Sequence, residues 1–593
     1  MTPSGDVAVG ARRPSARVVL AVLLAIAALV ALPTLHAGFV YDDTTIIREN
    51  PMLRGWSALA NVWGSPYWPA QGADVSGLYR PLHVALLATV WNAGGGAPLA
   101  FHVYSIVLYA LVVALVWRLL RGGVGLAAAA AATLWFATQP LHVETFASAA
   151  NSSELLVVVF TIALTFAIVR AVTATREPGW RAAVVVALLA AAAVLSKESG
   201  LLALPIAALT AWGWTSKRSD SLTAASTLPA PRQPRASYRL WLAGVTAVAA
   251  ALLARAAVLG APVARVSIAA PGLDALALPE RIAAMMSLWP RIVAMLAWPT
   301  SLSPYYGPTL LPPHRTTLAT LAALALLATS IIVVVLALRG ERRPLVALGW
   351  VVLSYLPASN LLTATGQLIA DRTLFGATVG VALAVGLVVD RLPRRAAAAA
   401  FALVALLSLR NGVESARYAS DWSSHRTLWQ RLVDSSPTEY RGYQLLGIDA
   451  RERGDSTCAL ALLARAFAME PRDRRTRFEY GQVLYATGRH ALAAQLLAPL
   501  LRDGDVRREP TFVAMYLDAV GRSRGADGVV AAGSPLLRGE AAPTAALFVG
   551  AAHEQLGRAA AADSAYALGL RAAPRDTLLL ARRARLEHSV APQ

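Results

Sequence analysis

Apolar runs of bilayer-spanning length follow one another along this chain, and no other feature restricts its fold as much. Val18–Leu35 contains no charge. Further runs lie at about 101–120, 124–138, 152–170, 181–196, 199–215, 239–259, 316–338, 344–362, 373–391 and 396–411. A run near this length crosses hydrocarbon as a helix, because backbone N–H and C=O groups there must be satisfied within the segment or in a closed barrel. The pattern predicts an all-α, polytopic membrane helix bundle of about 11 spans. The run 281–299 contains Arg291 and an internal Pro290, and is expected to be re-entrant or interfacial. Of the 593 residues, 56% are hydrophobic and only 15% charged, a balance foreign to soluble globular domains.

Charge sets the orientation. Arg12, Arg13 and Arg17 precede the first run, and the following LPTLHAGF lacks a small-x-small cleavage site, so the run is expected to remain as the first helix. The net charge is +19. Residues 1–410 hold 30 basic and 15 acidic side chains, whereas residues 411–593 hold 24 and 20 and lack the basic stripe of a nucleic-acid binder. With the N-terminus inside, the segments on its side collect 19 Lys and Arg against five acids; the opposite side holds 11 basic and 10 acidic residues. Positively charged loops stay cytoplasmic. A multi-pass protein of a cell inner membrane is expected, with a cytoplasmic N-terminus and an extracytoplasmic (periplasmic) C-terminal part. The Ser-, Pro-, Thr- and Arg-rich segment Thr215–Tyr238 is expected to be a flexible cytoplasmic loop.

The C-terminal part carries a repeat. Gly447 and Ala459 recur 34 residues later as Gly481 and Ala493, and Gly550, Ala562 and Pro574 recur 103 residues after the first set. Small residues at these places let paired helices approach, and Pro ends the second helix of a pair. The spacing fits a tetratricopeptide-repeat α-solenoid with a degenerate third copy near 511–542. The expected division is therefore 1–411 membrane domain, with a first outer loop at 36–100, and 412–593 extracytoplasmic repeat domain. Such arrays bind peptides or proteins in a concave groove; the plainer alternative is a spacer without a ligand. The single cysteine, Cys458, excludes an intramolecular disulfide and a Cys-based metal site, and reads as a small buried apolar side chain.

Ionisable residues beside the hydrocarbon are costly and mark functional candidates. The first outer loop holds Asp42, Asp43, Arg48, Glu49, Asp74 and Arg80 among Trp56, Trp63, Tyr67, Trp68 and Tyr79, a density that suggests short interfacial helices. Later outer loops add His142, Glu144 and Glu154, then Lys197 and Glu198, then Asn360, Asp371 and Arg372. One carboxylate base with a set of cations suits transfer of a group away from a phosphate leaving group: the base takes a hydroxyl proton and Arg or Lys holds the phosphate. A hydrolase of glycosides would need a second carboxyl at a defined separation. Each residue also has a bland reading. Asp42 or Asp43 could cap a helix starting at Thr44 or Thr45; His142 could be a satisfied interface histidine; Lys197–Glu198 and Asp371–Arg372 could be structural pairs; Arg80 could anchor at headgroups.

The stretches GFVYDDTTIIRENPMLRG, LYRPLHVALL, QPLHVETFASAANSSELL, LSKESG and LPASNLLTATGQLIADRTLF occur in this order before the repeats. Together they resemble the transmembrane-and-tetratricopeptide-repeat O-mannosyltransferases and their bacterial relatives, in the GT-C superfamily of polyprenyl-phosphate-sugar-dependent glycosyltransferases. The resemblance implies a GT-C-like bundle and an inverting transfer of a sugar, mannose in the family, from a polyprenyl-phosphate carrier to a hydroxyl of an exported protein or glycan. It maps the catalytic acidic pair to Asp42 and Asp43; Asp43 or Asp42 would act as base, with Asp42 or Glu49 supporting. Candidate substrate-binding residues are Arg80, His142, Glu144, Lys197, Glu198, Asn360, Asp371 and Arg372, of which Arg372, Arg80, Lys197 and His142 would meet the lipid phosphate. Tyr79, Pro81 and Ser359 fall in the same motifs. The family usually has His where Gln139 stands, Arg where Ser152 stands, and Glu-Arg-Tyr-x-Tyr where this chain has Asp371, Arg372, Thr373, Leu374 and Phe375. No ligand set demands a cofactor, though a divalent metal could sit at paired acids. The implied partners are the lipid-linked sugar, the exported acceptor, membrane lipid and a protein met through the repeats. The rival readings are an O-antigen ligase or polymerase, which relies on basic residues in a late outer loop; a non-catalytic membrane-anchored scaffold; and a transporter, whose ionisable residues belong at mid-membrane.

Overall fold

The computed structural model describes residues 15–68, 77–174, 178–223, 237–260, 270, 272–273, 276–300, 302–312 and 315–590. Asp74 and the stretch 224–236 of the expected cytoplasmic loop lie outside the described residues; the segment before it, to Thr223, is helical. The described residues contain helices and no strand. They divide into two compact units, Met1–Ser435 and Ser436–Gln593. The first unit thus runs past the last apolar helix and takes in the helix His425–Ser435 as well.

Each predicted apolar run falls on a helix. In chain order the longer helices of this unit are α1 (Ala16–Ala31), α2 (Pro81–Ala93, inside the expected first outer loop and not among the predicted runs), α3 (Pro98–Arg121), α4 (Leu126–Ala137), α5 (Ser153–Val172), α6 (Trp180–Ser196), α7 (Ala203–Thr223), α8 (Ser237–Leu259), α9 (Leu278–Ser287), α10 (Trp289–Ala297), α11 (Arg315–Leu338), α12 (Arg343–Tyr355), α13 (Phe375–Arg391) and α14 (Arg394–Asp421). Among the described residues, seven helical stretches are long and apolar enough to cross a membrane: 16–36, 98–121, 149–172, 238–259, 315–338, 371–391 and 394–421. The protein is therefore a multi-pass membrane protein. Helices α4, α6 and α12 are apolar but shorter. The run 281–299 does not form one span: it breaks at Leu288 into α9 and α10, where Pro290 removes a helical N–H.

Packing is closest between α6 and α8, α12 and α13, α5 and α6, and α5 and α7. Glycine allows one of these approaches: a Cβ on Gly380 of α13 would lie 2.8 Å from Val351 of α12. The two ends of the bundle are tied separately. At one end Arg391 pairs with Glu341 at 2.6 Å, Asp390 accepts from the Gly125 amide at 2.8 Å, and Arg343 donates to the Gly123 carbonyl. Those are the basic loops assigned to the cytoplasm. The outer-loop residues gather at the other end.

The second unit is a series of antiparallel helix pairs, 440–452 with 456–469, 474–486 with 490–497, and 542–555 with 559–572. The repeat geometry is explicit. A Cβ on Gly447 would stand 2.7 Å from Leu463, one on Gly481 would stand 2.5 Å from Leu497, and one on Gly550 would strike Tyr566, each partner lying 16 residues on. Ala459, Ala493 and Ala562 are fully buried. The degenerate copy is Pro510–Gly533, kinked at Gly525 (φ 70°). The architecture is the expected one, an all-α membrane bundle followed by a tetratricopeptide-like solenoid.

Candidate active site

The segment that follows α1 turns sharply before the acids. Tyr41 has φ 59°, a left-handed backbone that non-glycine residues rarely take. Its amide donates to His425 Nε2 at 3.0 Å. Its ring packs edge-on to Trp429 and tilted against Trp422. The turn leads into a single turn of π-helix, Thr44–Arg48.

The two acids then part. Asp43 is buried, and its carboxylate accepts from Ser148 Oγ (2.8 Å), the Ala150 amide (2.8 Å) and the Ala149 amide (3.2 Å). It ties the first outer loop to the second. Neither acid caps the following helix through its side chain. Burial pushes the Asp43 carboxyl up to about 7, against the pull of its three donors, and the neighbouring Asp42 adds to the rise. Asp42 is only half-buried and has no hydrogen bond or ion pair with a described side chain. Burial raises its pKa from the ordinary carboxylate value, opposed by the charges of Arg372, Arg80 and Lys197 in that order. Among the described residues, Asp42 is thus a carboxylate without a hydrogen-bond donor, opposite three cations.

Each cation is itself held by a glutamate. Arg372 pairs with Glu144, whose other oxygen accepts from the Arg372 amide at 2.9 Å. Arg80 grips Glu198 through Nε at 3.0 Å and Nη2 at 2.8 Å, with its guanidinium 4.6 Å from the Tyr67 ring centre. Lys197 pairs with Glu154 at 2.6 Å. Lys197 and Glu198 therefore do not pair with each other, nor do Asp371 and Arg372: Asp371 accepts from Tyr306 at 2.6 Å and Tyr418 at 3.3 Å. The extended backbone at Lys197 points successive side chains apart. Burial draws the Lys197 ammonium down while Glu154 opposes it. Burial also acts to raise Glu198, but Arg80 and Arg255 more than offset it and hold its carboxyl down at about 2. The site thus carries three glutamates that fix the cations by contact, and one acid, Asp42, for which no such contact is seen among the described residues.

Three other candidates are engaged elsewhere. His142 is buried between Phe136 and Phe375, with Tyr109 Oη at 3.0 Å from Nδ1 and Thr378 Oγ1 at 2.8 Å from Nε2. Burial lowers its pKa well below the usual histidine range, so it offers a phosphate no charge. Asn360 (φ 57°) is buried and organises its own loop, accepting from Thr365 and donating to the carbonyls of Gln367 and Leu368. Glu49 pairs with Arg48 on an exposed surface. Sequence reasoning passed over His83, which is buried, meets Ser152 Oγ at 3.0 Å and is driven to about 3 by burial, hence neutral. It also passed over His425, whose place beside Tyr41, 384 residues away in the chain, no local pattern reveals.

A divalent ion at the paired acids does not fit this arrangement. Both Asp43 oxygens already accept hydrogen bonds, and among the described residues no three His, Cys, Asp or Glu side chains are placed to share an ion.

Comparison with known proteins places this geometry in context. The family described as Dolichyl-phosphate-mannose-protein mannosyltransferase matches over residues 80–228, a stretch that holds Arg80, His142, Glu144, Lys197 and Glu198 and begins after the acid pair. "Protein O-mannosyl-transferase Tmtc1" of Drosophila melanogaster is 33% identical over 31% of this chain and 22% of its own length. Tmtc2 of the same organism is 33% identical over 30% of this chain and 20% of its own. Tmtc3, also of Drosophila melanogaster, is 24% identical over 78% of this chain and 56% of its own. The chain thus spans between about a fifth and somewhat over half the length of these relatives. A solved structure of the APC/C hetero-tetramer Cut9-Hcn1 aligns at 12% identity over 92% of this chain and 99% of that one, with a TM-score of 0.23, too low to bear on the fold. The resemblance carried by the five ordered stretches is borne out: over part of its length this chain is similar to the family described as Dolichyl-phosphate-mannose-protein mannosyltransferase and to proteins named Protein O-mannosyl-transferase.

Proposed function

We propose that the protein is a GT-C-type membrane glycosyltransferase that moves a sugar, mannose by analogy with its relatives' names, from a polyprenyl-phosphate carrier to a hydroxyl of an exported protein. One observation carries the reading: among the described residues, the carboxylate of Asp42 has no donor and stands opposite Arg372, Arg80 and Lys197. In the proposed step Asp42 takes the proton of the acceptor hydroxyl. The hydroxyl oxygen bonds to the anomeric carbon from the face opposite the phosphate, so the centre inverts. The bond from that carbon to the phosphate oxygen breaks, and the lipid phosphate leaves with the electron pair as a stable anion, which spares the site a general acid.

The three cations receive that anion. Each glutamate uses only some of the donors of its cation: the guanidinium groups of Arg80 and Arg372 have five N–H groups in a fixed fork, and the ammonium of Lys197 has three. The glutamates therefore orient the cations without exhausting them. Glu144, Glu154 and Glu198 are positioning residues on this reading, Asp43 joins the two outer loops, and Asp371 fixes Tyr306 and Tyr418. The repeats recruit the acceptor on the extracytoplasmic side of the inner membrane.

The test uses membranes containing the protein, polyprenyl-phosphate sugars labelled in the sugar, mannose among them, and an extract of exported proteins. Label entering protein only when the chain is present supports the proposal. No transfer from any monosaccharide donor of the panel, with transfer from a lipid-linked oligosaccharide, would favour the ligase reading; no transfer from either would favour the scaffold.

A further inference from the structure

We propose that His425 is a positioning residue for Asp42, acting through the backbone of Tyr41; its catalytic consequence rests on the transferase reading above. The feature that needs explanation is the left-handed Tyr41. A bulky L residue at φ 59° is held there only where its surroundings over-determine the conformation. Here the surroundings come from a distant part of the chain. His425 Nε2 accepts the Tyr41 amide proton at 3.0 Å and also meets Thr44 Oγ1 at 3.4 Å, so one nitrogen spans the residues on both sides of the acid pair. The ring of His425 stacks on Trp429 at 6.1 Å with an interplanar angle of 10°. Trp429 in turn meets the Tyr41 ring at 5.2 Å.

Geometry makes the consequence specific. An amide donor requires an acceptor, so Nε2 is the unprotonated nitrogen of His425. Residue 41 immediately precedes Asp42, and its φ sets the direction in which the chain enters that residue. Asp43 is anchored beyond it by Ser148, Ala149 and Ala150. Asp42 has no side-chain anchor of its own, so its aim is set by the backbone on either side: the Asp43 bonds after it and the His425 bond before it. A relaxed Tyr41 would swing the carboxylate while leaving the three cations, each held by its glutamate, where they are. The clamp therefore bears on the chemical step more than on donor binding.

Two measurements on the full-length protein in membranes or detergent test this. Hydrogen exchange at the 38–47 segment reads the clamp without any activity. It should quicken in His425→Leu, which cannot accept the amide proton, and stay protected in His425→Gln, whose amide oxygen can. Unchanged exchange in His425→Leu overturns the clamp. Sugar transfer reads its purpose: His425→Leu should lower kcat by on the order of 10²-fold, the scale of a small misplacement of a reacting group, with KM for the lipid donor little changed, and His425→Gln should recover most of it. A loss confined to KM, or no loss while exchange quickens, overturns the positioning role. A wild type without transfer would sink the transferase reading and the positioning role with it, and the exchange data would still decide the clamp.

Discussion

Asp43 spends both carboxylate oxygens on Ser148, Ala149 and Ala150, and Asp42 spends neither on a donor among the described residues. Adjacent acids are thereby divided between holding the fold and facing the cations. That division was not legible in the sequence, where the two are interchangeable members of a motif; it depends on a loop more than a hundred residues away. The raised pKa of Asp42 has a consequence for rate. A base must be ionised to accept a proton, so activity is present above the raised value and lost as pH falls through it. The acid limb of kcat/KM against pH should therefore lie higher than the usual Asp value near 3.9. A profile flat down to that ordinary range would contradict the role. Of the bland readings of the sequence in this region, one held. His142 is a satisfied core histidine, while the two neighbouring-charge pairings gave way to pairings between helices.

At the scale of elements, the apolar runs and the glycine–alanine period located nearly every helix, because burial and close approach leave marks that repeat along the chain. The contacts between loops left no such mark. Among those contacts burial decides the energetics. Glu144 is 1% exposed beside Arg372, whereas Glu341 is 38% exposed beside Arg391. Removing one member of a buried pair strands a charge and costs about 3–5 kcal/mol; an exposed pair is worth about 0–1 kcal/mol. Glu144→Gln should therefore lower thermal stability clearly and Glu341→Gln hardly at all, as read by denaturation in one detergent; equal effects would refute the assignment. In the solenoid, Gly550→Ala should drive a methyl into Tyr566. An overpacking cost of about 1–3 kcal/mol is expected, seen as earlier melting of the helical signal, and an unchanged melt would show that Tyr566 can give way. Gly454, Gly488 and Gly557 carry a further repeat signal that the sequence reading did not use: all three take φ between 69° and 80° at the turn between paired helices, 34 and 69 residues apart.

Across the whole molecule, the basic loops cross-link at one end of the bundle and the acids and their cations gather at the other. That separation is the one the charge count anticipated. Its orientation in a membrane can be tested with the chain's single cysteine removed. In a Cys458→Ala background, a cysteine at exposed Leu492 should react with an impermeant maleimide on intact spheroplasts, and one at exposed Arg339, in a basic loop, should react only after permeabilisation. The reverse pattern would invert the topology. The central claim is narrower, that Asp42 is the base and Asp43 a strut, and the most direct measurement is sugar transfer and thermal stability of Asp42→Asn and Asp43→Asn side by side. The account predicts that Asp42→Asn loses about 10²–10⁴-fold in kcat with its melting unchanged. Asp43→Asn should melt earlier: Ala149 and Ala150 donate to different oxygens, so the side-chain NH2 must face one of these donors and forfeits about 1–3 kcal/mol. Transfer that survives in Asp42→Asn would contradict it.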